Sequence, residues 1–218
     1  MTRPTPRKEV NTMTHECPKG HHEDQEPGAE SPARAEQQQR PGPRIYVASL
    51  ADYNAGRLHG VWTEATQGAE QIEAEIASML ERSREPIAEE WAIHDYEGFG
   101  GVKLSEFESI ERISRLAEGI ADEGMAFATW ISACSPSEET TDRFEEAFLG
   151  HFPSREAYAE HIVDDFGYQD LIDRAIPEYL APYIRFDADS YARDIELNGD
   201  VTIADAPDGS IYVFDANV

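Results

Sequence analysis

Basic side chains are scarce in this sequence. Lysine occurs only at Lys8, Lys19 and Lys103, and lysine plus arginine number 18 against 44 acids, a formal net charge of −26. Six of those bases and seven of the acids lie in residues 1–43, which leaves 12 bases and 37 acids, a net of −25, in residues 44–218. A surface so anionic repels nucleic acid and anionic lipid, so direct binding to DNA, RNA or a membrane is disfavoured. It attracts proteins whose own surfaces are shaped to hold polyanions. Cysteine is nearly absent: Cys17 and Cys134 stand far apart, which argues against a disulfide framework and for a reducing cytoplasm. No apolar run approaches the roughly 18 to 20 residues that a membrane span requires, and the N-terminus lacks the apolar stretch of a secretory signal. Walker, G-x-G-x-x-G, H-E-x-x-H, EF-hand and G-x-S-x-G motifs are all missing. No motif calls for catalysis or a cofactor.

What is present can still build cores, because 40% of the residues are apolar. Residues 1–43, rich in Pro, Glu, Gln and Arg and nearly empty of large apolar groups, read as a disordered extension, since burial there cannot offset ordering entropy. Within it, "HECPKGHH" groups His15, Cys17, His21 and His22, but one cluster without a second spaced pair falls short of a structural zinc site.

Order is expected from Arg44. Residues 45–50 read as a strand, 61–63 as a second and 89–94 as a third, where Trp91 and Ile93 alternate with Glu90 and His94. Ile72, Ile76, Met79 and Leu80 recur at helical spacing and predict an amphipathic helix over residues 69–82. These elements make an α+β unit over 44–103. A helical unit over 104–150 follows. Ser105 with Glu108 fits a capping box opening a helix with Phe107, Ile110, Ile113 and Leu116 inward; "MAFATWISAC" is a short apolar helix; Ser135, Pro136 and Glu138 begin another. Residues 151–218 form a second α+β unit, with helices broken at Gly167, Pro177 and Pro182, a helix-ending Gly199, and a closing hairpin of 201–204 with 211–214 across "PDGS". The fold class is therefore α+β, with three small domains behind a disordered tail.

Carboxylate spacing says more than carboxylate number. Over residues 138–149, read as a helix, Glu138, Asp142 and Glu145 share one face while Phe144, Ala147 and Phe148 point the other way. Acids on such a face recur about every 5.4 Å. Duplex DNA presents one negative charge per roughly 1.7 Å of axis, so a net of 25 charges corresponds to about 43 Å of duplex. Glu139, Glu146, Asp164, Asp165, Asp170 and Asp173 complete the candidate partner-binding surface. A single acidic run is ordinarily a solvated helix face, but an acid excess this large brings self-repulsion that solubility alone does not require. Crowded acids should have raised pKa values on average, so stability at low salt should increase from pH 7 towards about 5. Adaptation to high salt also yields an anionic surface with little lysine, as a background property without a partner.

Two remnants of possible chemistry are weak. "IHDYE" supplies His94, Asp95 and Glu97, yet strand alternation separates His94 from Asp95. Asp187 and Asp189 of "DAD" are two oxygens short of a cation site, and Asp187 is better explained as a helix N-cap.

Three segments in order, "RIYVASLADYNAGRLHGVW", "WAIHDYEGFGG" and "IPEYLAPYIRFDADSYARDIELNGD", strongly resemble segments of ArdA-type antirestriction proteins, over about residues 44–216. The resemblance implies an elongated acidic homodimer of three small domains, joined through its C-terminal unit, that imitates bent duplex DNA. It implies, as partner, the DNA-binding groove of type I restriction-modification enzymes on their methyltransferase core, no catalytic activity, and carriage on mobile genetic elements. It also implies a scaffold role for "DYNAGRLHG", consistent with Gly56 and Gly60 at unusual backbone angles. The 43-residue leader departs from the family pattern. Two other readings stand beside this one: an acidic adaptor for another basic nucleic-acid-associated protein, and a metal-dependent enzyme built on His94 and Asp95.

Overall fold

A computed structural model describes residues 42–137 and 140–218. The expected disordered tail lies outside them except for its last two residues. The described fold is α+β, with seven α-helices and two three-stranded antiparallel sheets.

The first sheet has β1 (Arg44–Ser49) at its centre, flanked by β2 (Gly60–Glu64) and β3 (Trp91–Glu97). Ile45 and Val47, on one face of β1, are fully buried. Between β1 and β2 the chain makes a short helix, α1 (Leu50–Asn54), where only a loop was expected. α2 (Ala69–Glu81) covers the core with Ile72, Ile76 and Met79, the stripe read from their spacing. Each such side chain contributes about 1.5–3 kcal/mol on burial.

α3 (Ile110–Cys134) departs from expectation twice. It opens at Ser109, whose Oγ accepts from Arg112 N at 3.1 Å, not at Ser105. Ser105 N donates to Glu108 Oε2 at 3.4 Å in the preceding turn, and Phe107, expected inward, is 68% exposed. The stripe of Ile110, Ile113, Leu116 and Ile120 decides the register, because it is the set that reaches the core. "MAFATWISAC" is the second leg of the same element, bent at Gly124, where φ 69° and ψ −147° lie in a region open to glycine alone.

The helix expected over residues 138–149 is not a single helix. Ser135 adopts φ 47° and caps the end of α3, with Ile131 O accepting from its N–H, so it starts nothing; Pro136 then stops the helix. Glu138 and Glu139 lie outside the described residues. A 3-10 turn, Thr141–Arg143, and one helical turn, α4 (Phe144–Ala147), lead directly into β4 (Phe148–Phe152). Tertiary pairing overrides the local pattern here. Phe148 lies opposite Phe214 of a strand more than sixty residues downstream, and its ring stacks on Phe144 at 5.3 Å and 17°.

The second sheet runs β4-β6-β5, with β5 (Val201–Asp205) and β6 (Ile211–Asp215) forming the hairpin read from sequence. Its central strand serves two cores. Ile211 and Val213 face a cluster built with Tyr158, Ala159 and Ile162 of α5 (Arg155–Phe166) and Ala192 and Ile195 of α7 (Ala188–Leu197). Tyr212 and Phe214, on the opposite face, pack into the larger cluster with Trp130, Phe144 and Phe148. α6 (Tyr168–Ala175) lies between α5 and α7 in sequence and buries no residue.

Candidate anionic interface

Carboxylates, predicted residues among them, converge between α3 and the segment after it. A shallow groove is lined by Glu118, Asp122 and Glu123 of α3 and by Asp142 and Glu145, over the buried rings of Phe127 and Phe144; Arg115 also lines it. The local structure explains the orientation. Glu118 and Asp122 are four residues apart on the helix face opposite Leu116 and Ile120, while burial of Phe144 and Ala147 turns Asp142 and Glu145 outward. Among the described residues no ion pair involves Asp122, Glu123, Asp142 or Glu145. The three α3 acids were absent from the predicted set. Their signal in the sequence is the i, i+4 spacing of Glu118 and Asp122 on the face opposite the apolar stripe.

The remaining predicted acids are exposed but placed elsewhere. Glu146 accepts from Arg143 at 2.6 Å. Asp164 and Asp165 sit in the last turn of α5, where Asp165 lies 3.3 Å from His161. Asp170 and Asp173 are on α6, Asp170 at 3.9 Å from Arg174 and Asp173 accepting from Gln169 at 2.8 Å. None of these five lines the groove.

At other positions hydrogen bonding outweighs the raised pKa expected from crowding. The Ser83 hydroxyl holds the Asp52 carboxyl below the usual range; a serine does the same for Glu156 (Ser154), Asp187 (the Ser190 backbone N–H) and Asp208 (Ser210). Asp187 is the N-cap of α7, accepting from Ser190 N at 3.0 Å, as its spacing suggested.

The "DYNAGRLHG" loop is a polar lock. Asp52 is 1% exposed; its carboxylate accepts from Arg57 Nε and Nη2 at 3.3 Å and from Ser83 Oγ, and its backbone N–H donates to Oγ of the N-cap Ser49 at 3.3 Å. Arg57 also bonds Glu85, and His59 Nε2 lies 2.7 Å from Met79 O, so the loop is tied to the end of α2 and the turn beyond it. Gly56 has φ 76°, as expected. Gly60 does not have an unusual angle; a Cβ there would lie 2.5 Å from Val47 O, so close approach is what requires glycine. His94 and Asp95 are both exposed, because a bulge at His94 interrupts the alternation of β3 that was expected to separate them. His94 packs edge-on against Tyr53 at 4.8 Å. Among the described residues no group of three His, Cys, Asp or Glu side chains is placed to hold a metal ion, and no helix is long and apolar enough to cross a membrane. His15, Cys17, His21 and His22 lie outside those residues.

Residues 45–207 match the model of the antirestriction protein family ArdA. The chain belongs to the ArdA family. The matched span of this ArdA protein holds the Asp52 lock, the acidic groove and α5 to α7, and ends before β6. No curated protein matches the sequence. Membership of an antirestriction family implies interaction with restriction enzymes.

Proposed function

We propose that this ArdA protein is a DNA mimic that occupies the DNA-binding groove of type I restriction-modification enzymes on the methyltransferase core. It acts without catalysis, by keeping DNA out. The observation that carries the reading is the groove itself. Five carboxylates from two segments separated in sequence converge over an apolar floor, with Arg115 the single basic side chain among the described lining residues. A cationic cleft built for phosphates would be attracted to such a surface, and the attraction would weaken with salt. Glu146, Asp164, Asp165, Asp170 and Asp173 extend the anionic surface beyond the groove.

A homodimer joined through the C-terminal unit fits the same reading. α6 buries nothing, and Leu171, Tyr179, Tyr183 and Leu197 are more than half exposed, apolar side chains that a second copy would cover. The test of the mimic is competition. The protein should displace a labelled duplex from a purified type I methyltransferase, more weakly as salt rises. Formation of a ternary complex with duplex still bound would refute it.

A further inference from the structure

A second groove differs from the first in having an exposed aromatic side chain, Phe107, in its lining. It runs between the start of α1, the start of β3 and the turn before α3, and Leu50, Trp91, Phe107 and Ile110 line it. Its polar lining is glutamate: Glu73, Glu89, Glu90, Glu108 and Glu111. Glu108 is paired with Arg112 at 3.4 Å, whereas among the described residues no ion pair involves Glu73, Glu89, Glu90 or Glu111. Phe107 is 68% exposed although the turn that carries it is held on both sides. Ser105 Oγ accepts from Phe107 N at 3.4 Å, and Glu106 O accepts from Ile93 N of β3 at 2.9 Å. The ring is therefore presented to solvent by an anchored turn.

From this juxtaposition we infer that the groove is a docking site for a basic protein segment carrying one bulky apolar side chain. The apolar residue would lie against Phe107 and Trp91, with flanking arginines or lysines among Glu73, Glu89, Glu90 and Glu111. Charge complementarity selects the occupant. Duplex DNA and a second copy of this chain, itself strongly acidic, are repelled by the same four glutamates. The inference rests on the mimic reading for the identity of its partner, a basic surface of the restriction enzyme. It goes further in assigning a contact that DNA cannot make, since phosphates offer no apolar groove. Phosphate-like attraction fades as salt screens it, but an aromatic anchor persists, and such anchors carry a large share of interface affinity.

The probe is a fluorescein-labelled peptide of alternating arginine and glycine with one central tryptophan, and a control peptide with alanine at the centre. Fluorescence anisotropy with the full chain at 0.15 M and 0.5 M salt should show the tryptophan peptide binding at least tenfold more tightly, with the difference kept at the higher salt. Phe107→Ala should remove the difference, and Glu89→Gln with Glu90→Gln should weaken both peptides together. Unchanged circular dichroism and melting temperature show that the variants are folded, as exposure of all three side chains predicts. Equal binding of the two peptides, or a tryptophan preference that survives Phe107→Ala, would overturn the inference. The duplex competition assay reads out separately. Wild type that fails to displace duplex removes the mimic reading, whereas wild type and Phe107→Ala that displace it equally at 0.5 M salt remove the apolar anchor alone.

Discussion

Neutralising the acidic groove step by step gives the most direct measure of how its attraction is distributed. Glu118→Gln, Asp122→Asn, Glu123→Gln, Asp142→Asn and Glu145→Gln keep size and polarity while each removes one charge from the lining. A solvent-screened ion pair is worth about 1 kcal/mol or less, so any one substitution should weaken competition with duplex by no more than about fivefold. If the contributions add, all five together approach 5 kcal/mol, an upper bound of about 5,000-fold. Neighbouring charges couple, so the measured loss should fall below that product. The assay is displacement of labelled duplex from the methyltransferase at one fixed salt concentration, with melting curves run alongside. Folding should survive, and melting temperature should hold or rise, because removing like charges relieves repulsion. Complete loss of competition from Asp142→Asn alone, with the fold intact, would show a specific contact and refute the distributed surface. No loss from the fivefold variant would show that the restriction enzyme engages another face.

Phe214→Ala should destabilise by about 3–5 kcal/mol, since the ring is fully buried in the larger core. Calorimetry should show melting lowered by roughly 6–20 °C in one transition, as β6 serves both cores; separate transitions would mean that the cores unfold independently. Gly124→Ala should cost about 1–3 kcal/mol in urea unfolding despite the higher helix propensity of alanine, and a gain would mean that the break in α3 relaxes without strain. Asp52→Asn should lower the melting temperature at pH 7. The folded pKa of Asp52 is depressed, so its contribution is present above its unfolded value near 4 and lost as pH falls through the lower folded value; the gap to wild type should therefore narrow below about pH 4. A gap independent of pH would mean that the carboxylate charge is not what holds the loop. Tyr183→Asp with Leu171→Asp should halve the mass seen by sedimentation, and an unchanged mass would remove the C-terminal dimer contact.

Much of the fold could be read where local pattern and tertiary packing agree. The spacing of Ile72, Ile76 and Met79 is the stripe that α2 buries, and "PDGS" joins β5 to β6. It could not be read where the partner is distant. Phe148 lies opposite Phe214, and nothing in residues 138–149 signals a strand that forms only because β6 supplies an edge. Ser105 and Ser109 both offer caps, and the choice depends on which register sends isoleucines into a core built from other segments. The groove was half legible. Asp142 and Glu145 were found from a helix that proved to be one turn long, since burial of Phe144 and Ala147 turns them outward in either conformation. Glu118, Asp122 and Glu123 belong to another element, and proximity between elements is what a single chain of letters does not state.

Hydrogen bonding to serine separates most acids of this chain by role. Glu156, Asp187 and Asp208 each stand two or three residues from a serine that donates to them, and Asp52 is held across the loop by Ser83. Their charge is spent within the fold, on a neighbouring N–H or hydroxyl. Of the groove acids, Glu118 accepts from Ser114 Oγ at 3.1 Å, whereas Thr140 and Thr141 donate to Ser137 O and so leave Asp142 to solvent, and Asp122 and Glu123 have no serine or threonine within three positions. A serine donor keeps such an acid ionised but fixes its oxygens in an orientation the fold requires; an acid without one can turn towards a partner's cation. By that reasoning, substituting the serine-held acids should cost stability and leave competition for the methyltransferase almost unchanged. Substituting the groove acids should do the reverse, and a chain in which both sets affected both properties equally would have no dedicated anionic face.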